Sequence, residues 1–541
     1  MNITITFSGP AGSGVNTSGL LLGELLAHKG YNVIGDKEYA SIIKGNNNIF
    51  ILYISKDEHY ISSKLDFFFA FDEFGIEKNS KVYELGEIYR VFEQKPKYLN
   101  TFSYAAACKL LGISKEEGLA LLKEKIHKAD AMEQNEIDFN AGYNYINESR
   151  FDFSKNIGTL KKFLFGNEII AKGASVSELE FYAAYPMTPA SSIIEAVLEE
   201  PKVTFFQGED EIAVAMAMLG AKFNGKRSMC GTSGGGFALM TESLSFSYIA
   251  ELGGVYILSQ RAGPSTGTPT FTEQADILFC MNCVFGDVKP IVILGDDFEG
   301  TYNLIGKALN WSDMYQYPVI FVVDKRFSES YVAVSESDLK GEPVNRGALE
   351  TNPKEDFVRF AYTENGISKY TIPGTKNGEF ITTSYEHDEY GVSTEDVQTK
   401  IKMTEKRAKK LETFIKTEFN KDFYGYDIIN PEAKKFFVTF GFNKYVLKDW
   451  VKKNPEYGLI VIKVIQPLDF RLKEFLDKNE NKIEKLIFVE MNYSGQLEEV
   501  IVKNFALNNN SRKSKIKNIR KYGLYPIFEE DVTEKLKEFR A

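Results

Sequence analysis

The chain has 541 residues, 43% hydrophobic and 26% charged, with a formal net charge of -10, enough for roughly three or four domains with ordinary soluble cores. The acidic balance argues against a nucleic-acid partner, which needs a basic surface, while leaving room for a protein partner that meets a local patch. No apolar run is long enough to span a bilayer, Met1-Asn2-Ile3-Thr4 lacks the basic start of a secretory leader, and 4 cysteines make no disulfide framework, so a cytoplasmic protein with no membrane contact is expected.

Ile3 to Phe7 alternates as a short strand, Gly9, Gly12 and Gly14 mark a turn, and Val15 to Lys29 repeats apolar residues at helical spacing. Strand, glycine turn and helix open an α/β unit. Free N–H groups at the helix start suit an anion, but the string is not GxGxxG and no Gly-Lys-Ser/Thr follows, so a structural turn is the better reading. Asp66 to Glu93 alternates apolar runs with charged turns, and Tyr104 to Asp130 is helical in pattern. From Phe139 to Asn156 the chain is polar and aromatic with weak periodicity, and reads as the linker out of a first domain, 1–150.

The next unit, 160–330, alternates strands and helices, and its strands end in polar groups. Ile169 to Leu179 is helical, and FYAAYP is a buried strand ending at Pro186 before Thr188-Pro189-Ala190-Ser191-Ser192. Taken alone, Thr188 is an N-cap for the helix Ile193 to Glu199. Val203 to Gln207 is a strand ahead of Glu209, Asp210 and Glu211, acids that favour the start of the helix Ile212 to Phe223. Ser228 to Thr232 leads into the turn Ser233-Gly234-Gly235-Gly236, and Val255 to Ser259 leads to Gln260-Arg261 and a loop of Gly, Pro, Ser and Thr that ends at Thr270. A fixed guanidinium at Arg261 suits bidentate capture of a carboxylate, although most surface arginines do nothing so specific. Cys280 and Cys283 form a lone CxxC; a cubane cluster or a structural zinc needs four ligands, so buried cysteines are expected.

A helix and the strand Pro318 to Asp324 close this unit. A less regular region, 331–420, follows with a long charged helix, Val397 to Phe419, and the string Glu386-His387-Asp388-Glu389-Tyr390-Gly391. Its histidine is open to metal binding, proton relay or a hydrogen-bonded turn. Residues 421–541 again read α/β, with strands at Phe436 to Phe440, Leu459 to Val464 and Leu486 to Glu490. Arg512 to Lys521 is a basic, solvated turn.

Four strings then stand in order: YPMTPASS from Tyr185, FFQGEDE from Phe205, GTSGGGFALMTE from Gly231 and QRAGPSTGTPT ending at Thr270. Together they resemble the pyrimidine-binding domain of the 2-oxoacid:ferredoxin oxidoreductases. EHDEYGVSTED from Glu386 and EMNYSGQL from Glu490 extend the resemblance to the large subunit in which gamma and alpha parts are fused. It implies a multidomain α/β fold: a gamma-type catalytic domain (1–150), a thiamine diphosphate pyrimidine-binding domain (160–330), a connecting region with a long helix (331–420) and a transketolase C-terminal-like domain (421–541).

The resemblance also assigns roles. Glu209 stands against the ring nitrogen of the aminopyrimidine and activates it as a base, which calls for a desolvated carboxyl with a perturbed pKa. Tyr185, Thr188 and Pro189 form the cofactor loop, and Arg261 and Thr270 hold the 2-oxoacid. The chain departs from the family pattern at Gly235, usually Pro, and at Ile43 to Asn48, where a string close to RGGHS is usual. Lys44 there is either a loop lysine or a contact to a phosphate of coenzyme A. The GDG…N pattern for magnesium and diphosphate is absent, Gly295-Asp296-Asp297 lacking the second glycine. No metal site is expected in this chain. The resemblance places Mg2+ and the [4Fe-4S] cluster in a beta subunit that completes the active site, and implies a dimer of heterodimers. The implied reaction is coenzyme A-dependent oxidative decarboxylation of 2-oxoglutarate, or of a broad range including pyruvate, to acyl-CoA and carbon dioxide, with electrons passing to ferredoxin. A non-catalytic scaffold and a different thiamine-dependent decarboxylase or transferase are the alternatives.

Overall fold

The computed structural model describes residues 2–39, 47–126, 129–420, 422–507 and 510–539, arranged on three sheets. The first has seven strands in the order Glu84–Arg90, Lys64–Ala70, Asn2–Pro10, Asn47–Ser55, Asn32–Glu38, Tyr331–Val334 and Lys162–Phe165. Asn2–Pro10 runs parallel to Lys64–Ala70 and antiparallel to Asn47–Ser55. The helix Val15–His28 begins after Gly14, whose φ of 84° is the left-handed conformation that glycine adopts without strain. It lies close on the sheet, since a Cβ on Gly19 would stand 2.2 Å from the Phe50 ring. Lys44 to Asn46 fall outside the described residues, and Asn47 and Asn48 begin a strand.

The first part of the expected linker, Phe139 to Tyr145, is instead the end of the helix Ala129–Tyr145, with Phe139 fully buried, while 146–161 is irregular and largely exposed. Phe139 and Tyr143 are one helical turn apart, and both rings pack on that side, Phe139 against Tyr104. Gly142 lets the helix approach the helix Leu99–Leu110, because a Cβ there would lie 2.1 Å from the Phe102 carbonyl oxygen.

The second sheet has the order Val464–Gln466, Ile291–Leu294, Pro318–Asp324, Gly254–Gln260, Ser228–Thr232, Phe181–Ala184, Thr204–Gln207. All its neighbours pair in parallel except Val464–Gln466, which is antiparallel to Ile291–Leu294. Continuous apolar runs such as PVIFVV suit a parallel sheet covered on both faces, and Gly254–Gln260 and Pro318–Asp324 are buried throughout. Thr204–Gln207 is the edge and is largely exposed.

The third sheet runs Tyr426–Ile429, Tyr457–Ile462, Lys435–Thr439, Lys485–Glu490, Ile516–Arg520, with only the first strand antiparallel. Sheets and sequence ranges do not coincide. Residues 162–165 and 331–334 complete the first sheet, so the second is inserted between two of the first sheet's neighbouring strands, and 464–466 extends the second from the C-terminal part. The long helix Val397–Glu418 turns Met403, Lys406, Arg407, Lys410 and Phe414 inward.

Candidate functional site

In the second sheet the chain steps from Phe181–Ala184 to the outer strand Thr204–Gln207, then crosses back to Ser228–Thr232 and continues the other way. The connections therefore part beyond the carboxyl ends of Phe181–Ala184 and Ser228–Thr232, where open α/β sheets form ligand crevices. Every predicted site residue lies along that carboxyl edge. Tyr185, Thr188 and Pro189 follow Phe181–Ala184, Glu209 follows Thr204–Gln207, and Arg261 follows Gly254–Gln260.

The loops are tied together. Arg261 Nη1 donates to the Thr188 carbonyl at 2.7 Å, joining the first and last strings. Burial pushes the Arg261 pKa down. The Pro189 carbonyl accepts from Asn167 Nδ2 at 2.9 Å, and the same amide donates to Ser192 Oγ at 2.8 Å, so the buried Pro189 turn is pinned from behind. The Ala262 N–H donates to the Phe271 carbonyl at 3.1 Å, and Glu273 accepts the Gly263 N–H at 2.9 Å. These bonds close the loop, within which Thr270 is buried. Tyr185 is 38% exposed.

Glu209 does not have the desolvated setting expected for it. It is exposed, as are Phe206, Ile212 and Met216 around it. The cause is its position at the end of an edge strand, Thr204–Gln207, beyond which no further strand pairs among the described residues. A carboxylate buried close by in sequence is Glu211, 4% exposed. Its Oε1, Thr232 Oγ1 and Ser233 Oγ are buried without hydrogen-bond partners. A Cβ on Gly236 would sit 2.4 Å from Glu211 Oε1 and 2.2 Å from Thr232 Oγ1. On Gly235, where the family pattern has Pro, a Cβ would meet nothing within 4 Å. Asp276 stands near Gly234, and burial raises its carboxyl to about 6.

Several residues at the site carried no motif. Asp36, Lys37, Thr272, Lys325 and Arg326 line, with the predicted Thr270, one small cavity where the first sheet's strand Asn32–Glu38 meets the second sheet. Arg326 holds Asp36 through Nε at 3.0 Å and Nη2 at 2.6 Å, Lys325 donates to the Lys37 carbonyl at 3.1 Å, and Tyr39 donates to Glu329 at 2.7 Å. Gln274 is the other omission. Its Nε2 donates to Asp324 at 2.8 Å, its Oε1 accepts from Asn443 at 3.0 Å, and its backbone carbonyl accepts from Asn492 at 3.0 Å. The EMNYSGQL string is thus a clamp under the chain that leaves the Arg261–Thr270 loop, and Gln496 Nε2 extends it to the Ala275 carbonyl at 2.6 Å. Only the acid–amide richness of both strings hinted at this.

Other singled-out residues do not join the site. Cys280 is buried and Cys283 half-buried, both thiols are pushed up by burial, and among the described residues no group of three or more His, Cys, Asp or Glu is placed to hold a metal. His387 is a buried turn residue between the Asp388 carbonyl at 2.8 Å and the Ile249 carbonyl at 3.2 Å. Among the described residues no helix is long and apolar enough to cross a membrane.

Comparisons with known proteins find relatives along most of the chain. Residues 172–406 match the family described as pyruvate flavodoxin/ferredoxin oxidoreductase, thiamine diphosphate-binding, and residues 4–89 match pyruvate ferredoxin/flavodoxin oxidoreductase. The chain is 30% identical to the 2-oxoacid:ferredoxin oxidoreductase subunit alpha of Saccharolobus solfataricus, over 93% of each chain. It is 32% identical to the 2-oxoglutarate synthase subunit KorA of Methanocaldococcus jannaschii, over 61% of this chain and 88% of that one. A 2-oxoglutarate:ferredoxin oxidoreductase from Magnetococcus marinus, solved with 2-oxoglutarate, coenzyme A and succinyl-CoA bound, shares the fold with a TM-score of 0.86 at 24% identity, over 99% of each chain.

Proposed function

Since the chain belongs to the 2-oxoacid:ferredoxin oxidoreductase family, among its alpha subunits, we propose that Tyr185, Thr188, Pro189, Glu209, Arg261 and Thr270 form the half of the active site that receives the aminopyrimidine of thiamine diphosphate and the 2-oxoacid. The observation that carries this is the Arg261–Thr188 hydrogen bond at the carboxyl edge of the parallel sheet. It joins loops 73 residues apart beside the exposed Glu209.

The residues present fit half of the cofactor. An exposed carboxylate suits a ring nitrogen, and the open glycine turn lets backbone come close to a ligand. Buried, unpartnered oxygens on Glu211, Thr232 and Ser233 border that turn. Thiamine diphosphate supplies the electron sink that makes loss of carbon dioxide from a 2-oxoacid feasible. Glu209 holds a proton at the aminopyrimidine nitrogen, and Thr188 fixes the loop that orients the ring. Arg261 keeps N–H groups beyond the one given to Thr188 and takes the substrate carboxylate, with the Thr270 hydroxyl beside it. Overall, the acid loses carbon dioxide and two electrons, the coenzyme A thiol takes the acyl group, and ferredoxin takes the electrons. The acid is 2-oxoglutarate, or a broad range that includes pyruvate.

A beta subunit completes the site. It carries the diphosphate and Mg2+ site and the [4Fe-4S] cluster, for which this sequence has neither the GDG…N pattern nor the cysteines. It covers Phe206, Ile212 and Met216, and so supplies the desolvation Glu209 lacks in this chain. The assembly is a dimer of heterodimers in the cytoplasm, in keeping with four free cysteines.

The test is coenzyme A-dependent reduction of a low-potential dye by the natively purified complex with a panel of 2-oxoacids, read with its visible spectrum. Turnover with at least one acid and iron–sulfur absorbance from a second chain are expected. No turnover from a thiamine-loaded complex overturns the reading.

A further inference from the structure

Away from the carboxyl edge, two buried carboxylates each gather three cations. Asp313 pairs with Lys222, with Arg227 Nη1 at 2.7 Å and with Arg346 Nε at 2.9 Å. Glu251 pairs with Lys406 at 2.6 Å and Lys410 at 2.5 Å, and its backbone carbonyl accepts from Arg359 Nη2 at 2.7 Å. All of these side chains are buried except Arg346, which is 24% exposed. Lys222, Asp313, Glu251, Arg346 and Arg359 line one cavity between the two clusters, with Gln316, Tyr370 and Thr371.

The charge does not balance. Six cations face two carboxylates. Glu180, at the rim, is engaged by Lys226 at 2.7 Å and the Arg227 N–H at 3.0 Å. Glu386 lies outside the cavity and is satisfied by Arg407 and Lys400. The helices Glu211–Phe223, Phe298–Tyr315 and Thr241–Ile249 end near Lys222, Asp313 and Glu251, and each helix end adds about half a negative charge. About two and a half positive charges remain while Lys222 and Lys410 keep their protons, and fewer once they lose them. Burial and the neighbouring cations push the Lys222 ammonium well down, and Lys410 falls to about 7. Arg359 Nε is buried with no hydrogen-bond partner. An isolated buried charge is expensive unless something of opposite sign joins it.

We infer that this cavity is a binding site for a tetrahedral oxyanion of the phosphate class, held by Lys222, Arg346 and Arg359. A monoanion or dianion falls within the remaining excess, and the Arg359 Nε–H, buried without a partner while its Nη groups are held by Gln316 and the Glu251 carbonyl, is free to donate to it. The site is remote from the carboxyl edge, since it sits where the helices following those strands end.

Holoenzyme saturated with thiamine diphosphate and coenzyme A is dialysed against radiolabelled inorganic phosphate in a chloride-free buffer, with ionic strength held by a bulky organic sulfonate. One phosphate per chain is expected beyond those of the cofactors. Arg346→Gln and Arg359→Gln are each expected to weaken its binding at least tenfold, with dye reduction unchanged. If one variant fails to fold, the other and the parent titration decide. Tighter competition by a nucleoside phosphate than by inorganic phosphate identifies the oxyanion as one group of a larger ligand; weaker competition identifies it as free phosphate. No extra phosphate on the parent, or unchanged binding in the variants, overturns the site. Displacement by an equal concentration of chloride overturns the oxyanion assignment in favour of a halide.

Discussion

Glu209→Gln separates chemistry from folding more cleanly than any other change. The side chain is exposed at the end of an edge strand, one residue ahead of the Asp210 N-cap. A surface substitution of this kind shifts stability by about 0.5 kcal/mol or less, and proximity to a helix start adds at most about 1 kcal/mol. Loss of a carboxylate that serves proton transfer costs roughly 10²- to 10⁴-fold in rate, or about 3–5 kcal/mol in barrier height. The catalytic effect should thus exceed the structural one several-fold. The assay is dye reduction by the assembled complex, with a thermal unfolding curve on the same sample. Turnover within tenfold of the parent would refute the role of Glu209. So would a fall in turnover that merely tracks lost folded protein.

Gly236→Ala must displace Thr232 Oγ1 or Glu211 Oε1, which lie 2.2 and 2.4 Å from the new Cβ. It should cost about 1–3 kcal/mol and weaken thiamine diphosphate binding, whereas Gly235→Ala should leave the melting curve of this chain unchanged; calorimetry of the two variants checks both. Gln274→Ala leaves Asp324 and Asn443 short of partners, at about 1–3 kcal/mol each, and should appear as faster proteolysis between the second and third sheets. Burial raises the Asp276 carboxyl from 3.8 to about 6, so its contribution to stability is full below pH 4 and is lost as the pH rises through 6. By pH 8 that loss is up to about 3 kcal/mol. Asp276→Asn should therefore narrow the stability difference between pH 5 and pH 8, and equal pH profiles for parent and variant would count against it.

The carboxyl-edge site was legible because each loop follows a strand whose apolar run is unmistakable and whose polar ending is abrupt. Ser228–Thr232 and Pro318–Asp324 have the spans their sequences suggest. What stayed hidden is non-local. Lys162–Phe165 and Tyr331–Val334 carry no signal that they pair with each other or close the first sheet. The exposure of Glu209 follows from strand order, which spacing does not encode. The helix Ala129–Tyr145 was masked by its polar residues, although Phe139 and Tyr143 are set at helical spacing. The partners of Asp313 and Glu251 are scattered from Lys222 to Lys410, so their convergence needed coordinates.

The insertion of the second sheet between two strands of the first has a consequence for synthesis. Strand Asn32–Glu38 waits for Tyr331–Val334 to cover its outer side. Translation of the roughly 300 residues between them takes about 15–60 s at ribosomal speeds. For that interval a nascent chain displays a bare strand edge, the kind of surface that pairs with a neighbouring polypeptide. Order of emergence from the ribosome, rather than final stability, then becomes the hazard. Splitting the gene after residue 150 would make that transient edge permanent in the shorter product.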